Sequence, residues 1–395
     1  MERSYLNRLH DAAYYKIVVP FEDFVMAVFP VKKNKVVFDN FCGRGYGCNP
    51  KYIANALLNT TESSNIDIVW VVNDMSVEMP KGIRKVQYGT LKAAYEWATA
   101  KVWVDNVRDS RKVHKKKNQF YIQTWHGSIG LKKSEQEVED SLPVNYVKAA
   151  KHDGKITNLM ISNGKYRTDR YHNHFWYSGD VLECGFPRND ILINPTKEVR
   201  DKVYKTLGIA QKKKVILYAP TFRLNTVDPE DPVAPFKFDY ENCRKKLEIK
   251  FGEEYVFLLR MHPNIAKYSN MFSFSDDIKN ATSYPDMQEL LAVSDVLITD
   301  YSACMFDSMI AKHKVFLLAK DIDEYTSRER GLLFDFRELP CALAESQEEL
   351  EDNIKTFDMN DYLERCSSFF KKIGFKEPGT ASETVANLII GKLNS

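Results

Sequence analysis

Short apolar runs alternate with stretches of helical period along most of the chain. In the first half the runs occupy residues 35–39, 66–73, 102–106, 120–125 and 159–163; in the second, 215–219, 255–261, 296–299 and 315–319. Rich in Val, Ile and Leu, they read as strands buried on both faces of a sheet. The stretches between them leave room for crossover helices, so the pattern predicts an α/β protein with parallel sheets. Turn residues interrupt the rhythm over 185–200, which puts a domain boundary near residue 195. A chain of 395 residues fits two domains of ordinary size. Two parallel-sheet domains facing each other carry their functional loops at the carboxyl ends of the strands, in the cleft between them.

The polar residues at those strand ends are the candidates for chemistry. Over 282–310, a helix expected at 287–292 leads to the strand at 296–299, which stops at Asp300, Tyr301 and Ser302 before a second helix from Ala303. A strand ending in polar residues at the mouth of a helix suits a phosphate, which backbone N–H groups and the Ser302 hydroxyl can bind. The plainer reading is that Ser302 only caps the helix. The run at 120–125 ends on His126 and Gly127; a histidine there can serve as a general base, or merely cap or pack. The run at 255–261 ends on His262, with Pro263 turning the chain away and Arg260 on the same strand face. The run at 215–219 leads to Thr221 and Arg223, a hydroxyl and a guanidinium suited to phosphate. Asn49-Pro50 reads as a helix N-cap followed by proline at the first helical position. Glycines at 43, 45 and 47 do not form a dinucleotide fingerprint, and there is no P-loop.

Composition narrows the class without naming it. With 44% hydrophobic and 28% charged residues the chain is globular, and a net charge of +2 gives no bulk argument for nucleic acid. A basic run at 111–117, followed by Lys132 and Lys133, can steer anions or meet acidic lipid. The seven cysteines contain no CxxC pair and read as reduced thiols of a cytoplasmic protein; no metal site is expected. The start lacks a secretory pattern, and the apolar stretch 17–31 is broken by acids and prolines, so contact with a membrane is expected to be peripheral.

Taken together, the motifs at 125–127 (WHG), 185–190 (GFPRND), 217–223 (LYAPTFR), 260–264 (RMHPN), 284–303 (YPDMQELLAVSDVLITDYSA) and 330–336 (RGLLFDF) resemble the CDP-glycerol glycerophosphotransferase family. These are the teichoic acid primases and polymerases and their capsule relatives. The resemblance runs from about residue 36 to the C-terminus. It implies a GT-B fold: an acceptor domain at 1–195, a nucleotide donor domain at 196–375, and a C-terminal helix within 376–395 that can return to the first domain. It also implies transfer of a glycerol-phosphate or ribitol-phosphate unit from a CDP-alditol to a lipid-linked wall or capsule glycan, with release of CMP, at the inner face of the membrane. A divalent cation is compatible with this chemistry but not required by the sequence.

By the same resemblance, His126 takes the acceptor proton and His262 contacts the donor pyrophosphate. Thr221, Arg223, Arg260, Asp300, Tyr301 and Ser302 serve the donor phosphates, and the Ser283-Tyr284-Pro285 turn seats the cytosine. Gly127, Ser128, Lys132 and Lys133 line the acceptor entrance. The chain departs from the family here: His-Gly-Thr-Pro is expected, and His126-Gly127-Ser128-Ile129-Gly130 stands in its place. It also lacks the N-terminal extension of the large polymerases and reads as close to a minimal catalytic unit. Two rivals are a GT-B glycosyltransferase using a nucleotide sugar and a catalytically silent scaffold of the same fold.

Overall fold

The computed structural model describes residues 24, 27–109, 114–223, 230–262, 268, 271–328 and 331–395. Most of the apolar stretch 17–31, part of the basic run 111–117, and Pro263, Asn264 and Arg330 of the motifs above lie outside the described residues. The chain builds two parallel sheets, each sandwiched between helices. The first holds β1 (Lys32–Phe38), β2 (Asp67–Val72), β3 (Ile83–Gln87), β4 (Ala100–Asp105), β5 (Phe120–Gln123), β6 (Leu159–Ser162) and β7 (Asp180–Glu183), in the order β3-β2-β1-β4-β5-β6-β7. The second holds β8 (Lys214–Tyr218), β9 (Tyr255–Leu259), β10 (Ile278–Asn280), β11 (Val296–Thr299), β12 (Lys314–Leu318) and β13 (Ala342–Ala344), in the order β10-β9-β8-β11-β12-β13. The strand order reverses between β1 and β4 and again between β8 and β11. Such switch points open a crevice at the carboxyl ends of the strands.

The absence of polar alternation in the strands follows from cover on both faces. In β1, Val36 and Phe38 point to one side and pack with Ile53 and Leu57 of the helix Cys48–Leu58. Val37 points to the other side and meets Ala93 and Trp97 of the helix Leu91–Thr99. In β8, Val215 and Leu217 fall on one face of their sheet and Ile216 and Tyr218 on the other. The helix Ala381–Leu393 lies on the first sheet: Val385, Ala386 and Ile389 join Val36, Val102 and Ile122 in one cluster. Its start is fixed by Asp190, which accepts from the backbone N–H of Ala381 (3.0 Å) and Ser382 (2.7 Å).

One local expectation is corrected. The helix Cys48–Leu58 is capped by Gly47, and Asn49 is no cap. Its side chain is spent on tertiary contacts instead, donating to the Trp125 carbonyl (2.9 Å) and accepting from the Arg188 N–H (3.0 Å).

The loop after β5 crosses to the second domain. Ile129 and Leu131 are buried in that domain's apolar cluster, and Lys132 pairs as an antiparallel bridge with Leu332. A second tie runs from Lys51, at the start of its helix, to Asp286 and to Glu289 (2.7 Å) of the helix Met287–Val293. Burial pushes the Glu289 carboxyl up, but Lys51, Lys202 and Tyr284 outweigh it and bring the pKa down to about 2.

Candidate active site

A cleft of about 840 Å³ lies where the carboxyl ends of the two sheets meet, lined by His126, Gly127 and Lys132 from one side and Thr221, His262, Tyr301 and Ser302 from the other. Its first-domain wall is built around His126. The ring Nδ1 lies 2.8 Å from the Asn106 carbonyl just beyond β4. A carbonyl only accepts, so Nδ1 carries the proton and Nε2 keeps its lone pair. The imidazole stacks on Trp125 (4.5 Å between centroids) and leans on Phe41, which follows β1 (5.1 Å). Both neighbours have left-handed backbone, with φ of 55° at Trp125 and 48° at Phe41. Bulky residues rarely accept that conformation, and such strain concentrates at functional sites. Loss of solvent lowers the His126 pKa to about 4; the Asn106 contact works against the shift, and the charges of Arg188 and Arg167 add to it. The ring is therefore neutral at pH 7.

A buried bridge joins this wall to the second domain. Arg188 donates to the His126 carbonyl (2.6 Å) and to Asp307 (2.6 Å). Asp307, on the helix Cys304–Ile310, also accepts from the Ser128 hydroxyl (2.7 Å). The backbone of the histidine is thus fastened to the helix that follows Ser302. Sequence reasoning did not single out Arg188 or Asp307. The one signal was position: Arg188 sits inside the GFPRND motif, and Asp307 lies five residues after Ser302.

On the second-domain wall, His262 is exposed and stacks on Phe222 (5.7 Å). Partial burial lowers its pKa, helped by the charges of Lys132, Arg44 and Arg260. Thr221 stands at the end of β8, its N–H held by Asp300 (2.7 Å). The Ser302 hydroxyl accepts from the Cys304 N–H (3.4 Å) at the first residue of the helix Cys304–Ile310, as the plain capping reading expects, and Ser302 also lines the cleft.

Apart from Tyr301, which lines the cleft, the other expected donor ligands sit elsewhere. Arg223 is buried, paired with Asp300 (2.9 Å) and Asp321 (2.8 Å). With both carboxylates in place its guanidinium braces the wall from behind and does not face the cleft. Asp300 is occupied by the same pair, and the Tyr301 hydroxyl donates to Asp321 (2.9 Å). Arg260 donates to the carbonyls of Ala281 and Tyr284, shaping the turn that follows β10. Ser283, Tyr284 and Pro285 border a separate cavity of about 490 Å³ with Lys279 and Asn280. Of the expected acceptor residues, Gly127 and Lys132 line the cleft. Ser128 is fully buried on Asp307, so its hydroxyl is a structural link. Lys133 packs beside Gly331, and its N–H donates to the Gly331 carbonyl (2.9 Å). Among the described residues no group of three or more His, Cys, Asp or Glu side chains is arranged to hold a metal ion.

Residues 22–391 match the family model described as CDP-glycerol:poly(glycerophosphate) glycerophosphotransferase. The chain belongs to this family. It is 33% identical over 379 residues to the teichoic acid poly(glycerol phosphate) polymerase of Bacillus subtilis (strain 168), covering 93% of this chain and 50% of that protein. It is 32% identical over 372 residues to the teichoic acid glycerol-phosphate transferase of Staphylococcus aureus (strain NCTC 8325 / PS 47), covering 90% and 93% respectively. The chain thus spans about half the length of the Bacillus polymerase and nearly all of the Staphylococcus transferase. Among solved structures, the wall teichoic acid polymerase TagF superposes with a TM-score of 0.81 at 28% identity, covering 100% of this chain and 99% of that one. The two parallel sheets are therefore those of a GT-B-like member of this family. Family membership alone does not select the alditol, since a poly(ribitol-phosphate) polymerase of Bacillus spizizenii (strain ATCC 23059 / NRRL B-14472 / W23) is 27% identical over 93% of this chain.

Proposed function

We propose that this glycerophosphotransferase moves a glycerol-phosphate unit from CDP-glycerol, or the ribitol counterpart from CDP-ribitol, to a hydroxyl of a lipid-linked wall or capsule glycan, releasing CMP. The observation that carries the reading is the opposition, in one cleft, of a neutral histidine with a free Nε2 and a wall bearing Thr221, His262 and Ser302. Support for the donor comes from the family and from a TagF variant soaked with CDPG, which superposes with a TM-score of 0.82.

The acceptor hydroxyl approaches His126 Nε2, which takes its proton as the oxygen attacks the phosphorus bearing the alditol. The bond from that phosphorus to the bridging oxygen breaks on the opposite side, and the electron pair leaves with CMP. Thr221, His262 and Ser302 are placed to bind the donor phosphates and to offset the charge that grows on the departing one. Arg188 and Asp307 keep His126 in register with the donor wall. The acceptor's lipid sits in a membrane, and among the described residues no helix is long and apolar enough to cross one. Meeting a lipid-linked acceptor at the inner face of the membrane would then rest on peripheral contact, with the basic run 111–117 and Lys132-Lys133 as the expected cations toward anionic lipid.

The test is CMP release from CDP-glycerol, CDP-ribitol and UDP-sugars with a lipid-linked saccharide phosphate as acceptor. CMP from one CDP-alditol is expected. UDP from a nucleotide sugar would make the protein a glycosyltransferase.

A further inference from the structure

The chain crosses between its two domains twice, and one carboxyl group joins the crossings. The outward crossing, residues 184–196, runs from β7 to the helix Lys197–Leu207; the return, residues 373–380, runs from the helix Met359–Lys372 to the helix Ala381–Leu393. Glu377 belongs to the return crossing and directs its carboxyl at the outward one. Oε2 accepts from the Phe186 N–H (3.0 Å), and Oε1 accepts from the side-chain amides of Asn189 (2.9 Å) and Asn163 (3.2 Å). The approach is close. A Cβ at Gly185, whose φ is +88°, would lie 2.6 Å from Oε2.

That carboxyl holds the turn Pro187–Asn189. Phe186 and Asn189 flank Arg188, so the chain is gripped on both sides of it. Arg188 is the residue that donates to the His126 carbonyl and to Asp307. Asn189 adds a second link, because its amide oxygen accepts from Gln288 (2.9 Å) on the helix Met287–Val293 of the second domain. All three donors to Glu377 are neutral, and Arg188, near enough to feel the charge, donates elsewhere. Loss of solvent pushes the Glu377 pKa up to about 8. The hydrogen bonds from Asn189, Phe186 and Asn163 counter the rise only in part, and the Asp307 charge adds to it. A carboxyl kept in place against such a desolvation cost calls for a role.

We infer that Glu377 is a positioning residue for the transfer: it clamps the turn Pro187–Asn189 and, through Arg188, sets His126 against the second-domain wall. The inference rests on the reaction proposed above and assigns one further residue to it. Glu377 is not part of the cleft lining, so it acts on the rate through Arg188 and leaves donor binding untouched.

The experiment measures CMP release from the CDP-alditol by the wild type, Glu377→Gln, Glu377→Asp, Arg188→Lys, and a variant combining Glu377→Gln with Arg188→Lys. Glu377→Gln keeps the shape but replaces one accepting oxygen by a donor. It is expected to lower kcat about 10-fold with the donor KM unchanged. Glu377→Asp keeps both oxygens on a shorter stem and should recover part of the loss; it carries the comparison if Glu377→Gln folds poorly. In the Arg188→Lys background Glu377→Gln should lower kcat by less than about 3-fold more, since the clamp has lost the group it acts through. Losses that multiply in the combined variant, or a raised donor KM with kcat unchanged, would overturn the assignment. A second readout needs no turnover: the His126 imidazole titration followed by NMR, its resonance assigned by loss in His126→Asn. The Arg188 charge helps to lower the pKa of this ring, so in Glu377→Gln the titration should move up toward the ordinary histidine value. A moved titration in a protein that releases no CMP would overturn the reaction and keep the clamp. CMP release with an unmoved titration and unchanged kcat in both Glu377 variants would overturn the clamp alone.

Discussion

In the first domain His126 is held from three sides: its Nδ1 by the Asn106 carbonyl, its ring by Trp125 and Phe41, and its own carbonyl by Arg188. In the second domain His262 stands exposed at the end of β9 with one face on Phe222. Both follow a buried parallel strand, and both have a lowered pKa. The difference lies in what completes each site. Around His126 the protein supplies the orientation and tautomer that a base needs before any ligand arrives. Around His262 the charges that act on the ring are those of Lys132, Arg44 and Arg260. The first wall is held rigidly and the second stands more open, a contrast in keeping with the proposed base on the acceptor side and charge stabiliser on the donor side.

The comparison breaks most visibly at the histidines. His126→Asn is expected to lower kcat by about 10²- to 10⁴-fold while leaving the KM for CDP-glycerol near its wild-type value; steady-state CMP release measures both. Next comes Arg223, which sequence reasoning made a phosphate ligand and the structure makes an anchor. Arg223→Met leaves Asp300 and Asp321 without their buried cation, a loss of about 3–5 kcal/mol in unfolding free energy. Denaturant titration should show that loss, and any KM change in the surviving folded protein should be smaller than for His262→Asn. A slightly smaller effect is expected across the domain interface. Lys51→Met removes the cation shared by Asp286 and Glu289, costing about 3 kcal/mol at neutral pH, with Lys202 still paired to Glu289. The smallest effect is in its pH dependence. The Glu289 carboxyl is depressed to about 2 in the folded chain, below the ordinary 4.5, so its stabilisation is complete above about 4.5 and lost as pH falls toward 2. Melting curves of the wild type between pH 5 and 3 should fall more steeply than those of Lys51→Met.

Much of this arrangement was legible in the sequence, and its gaps share a physical cause. The nine apolar runs all became strands, with β11 matching residues 296–299 in full. The four strands not anticipated, β3, β7, β10 and β13, are the edges of the two sheets. Edge strands need less apolar cover, and IRKVQ, DVLE, IKN and ALA are too short or too polar to stand out. At the site, residues that follow a strand were found because the strand itself points to them: His126, Thr221, His262 and Ser302. Missed were Arg188, Asp307 and Lys51, whose roles come from contacts between distant parts of the chain. Arg223 and Ser128 show the reverse error. Each has chemistry suited to a ligand, but a buried protein partner had already claimed it, and no local pattern reveals that.

The most direct test of the account is to measure CDP-glycerol binding by calorimetry and CMP release by rapid quench on the same preparations of wild type, His126→Asn and His262→Asn. The account predicts that His126→Asn binds the donor as wild type does and releases almost no CMP, whereas His262→Asn binds it more weakly and is also slow. Wild-type CMP release by His126→Asn, with acceptor present, would contradict it.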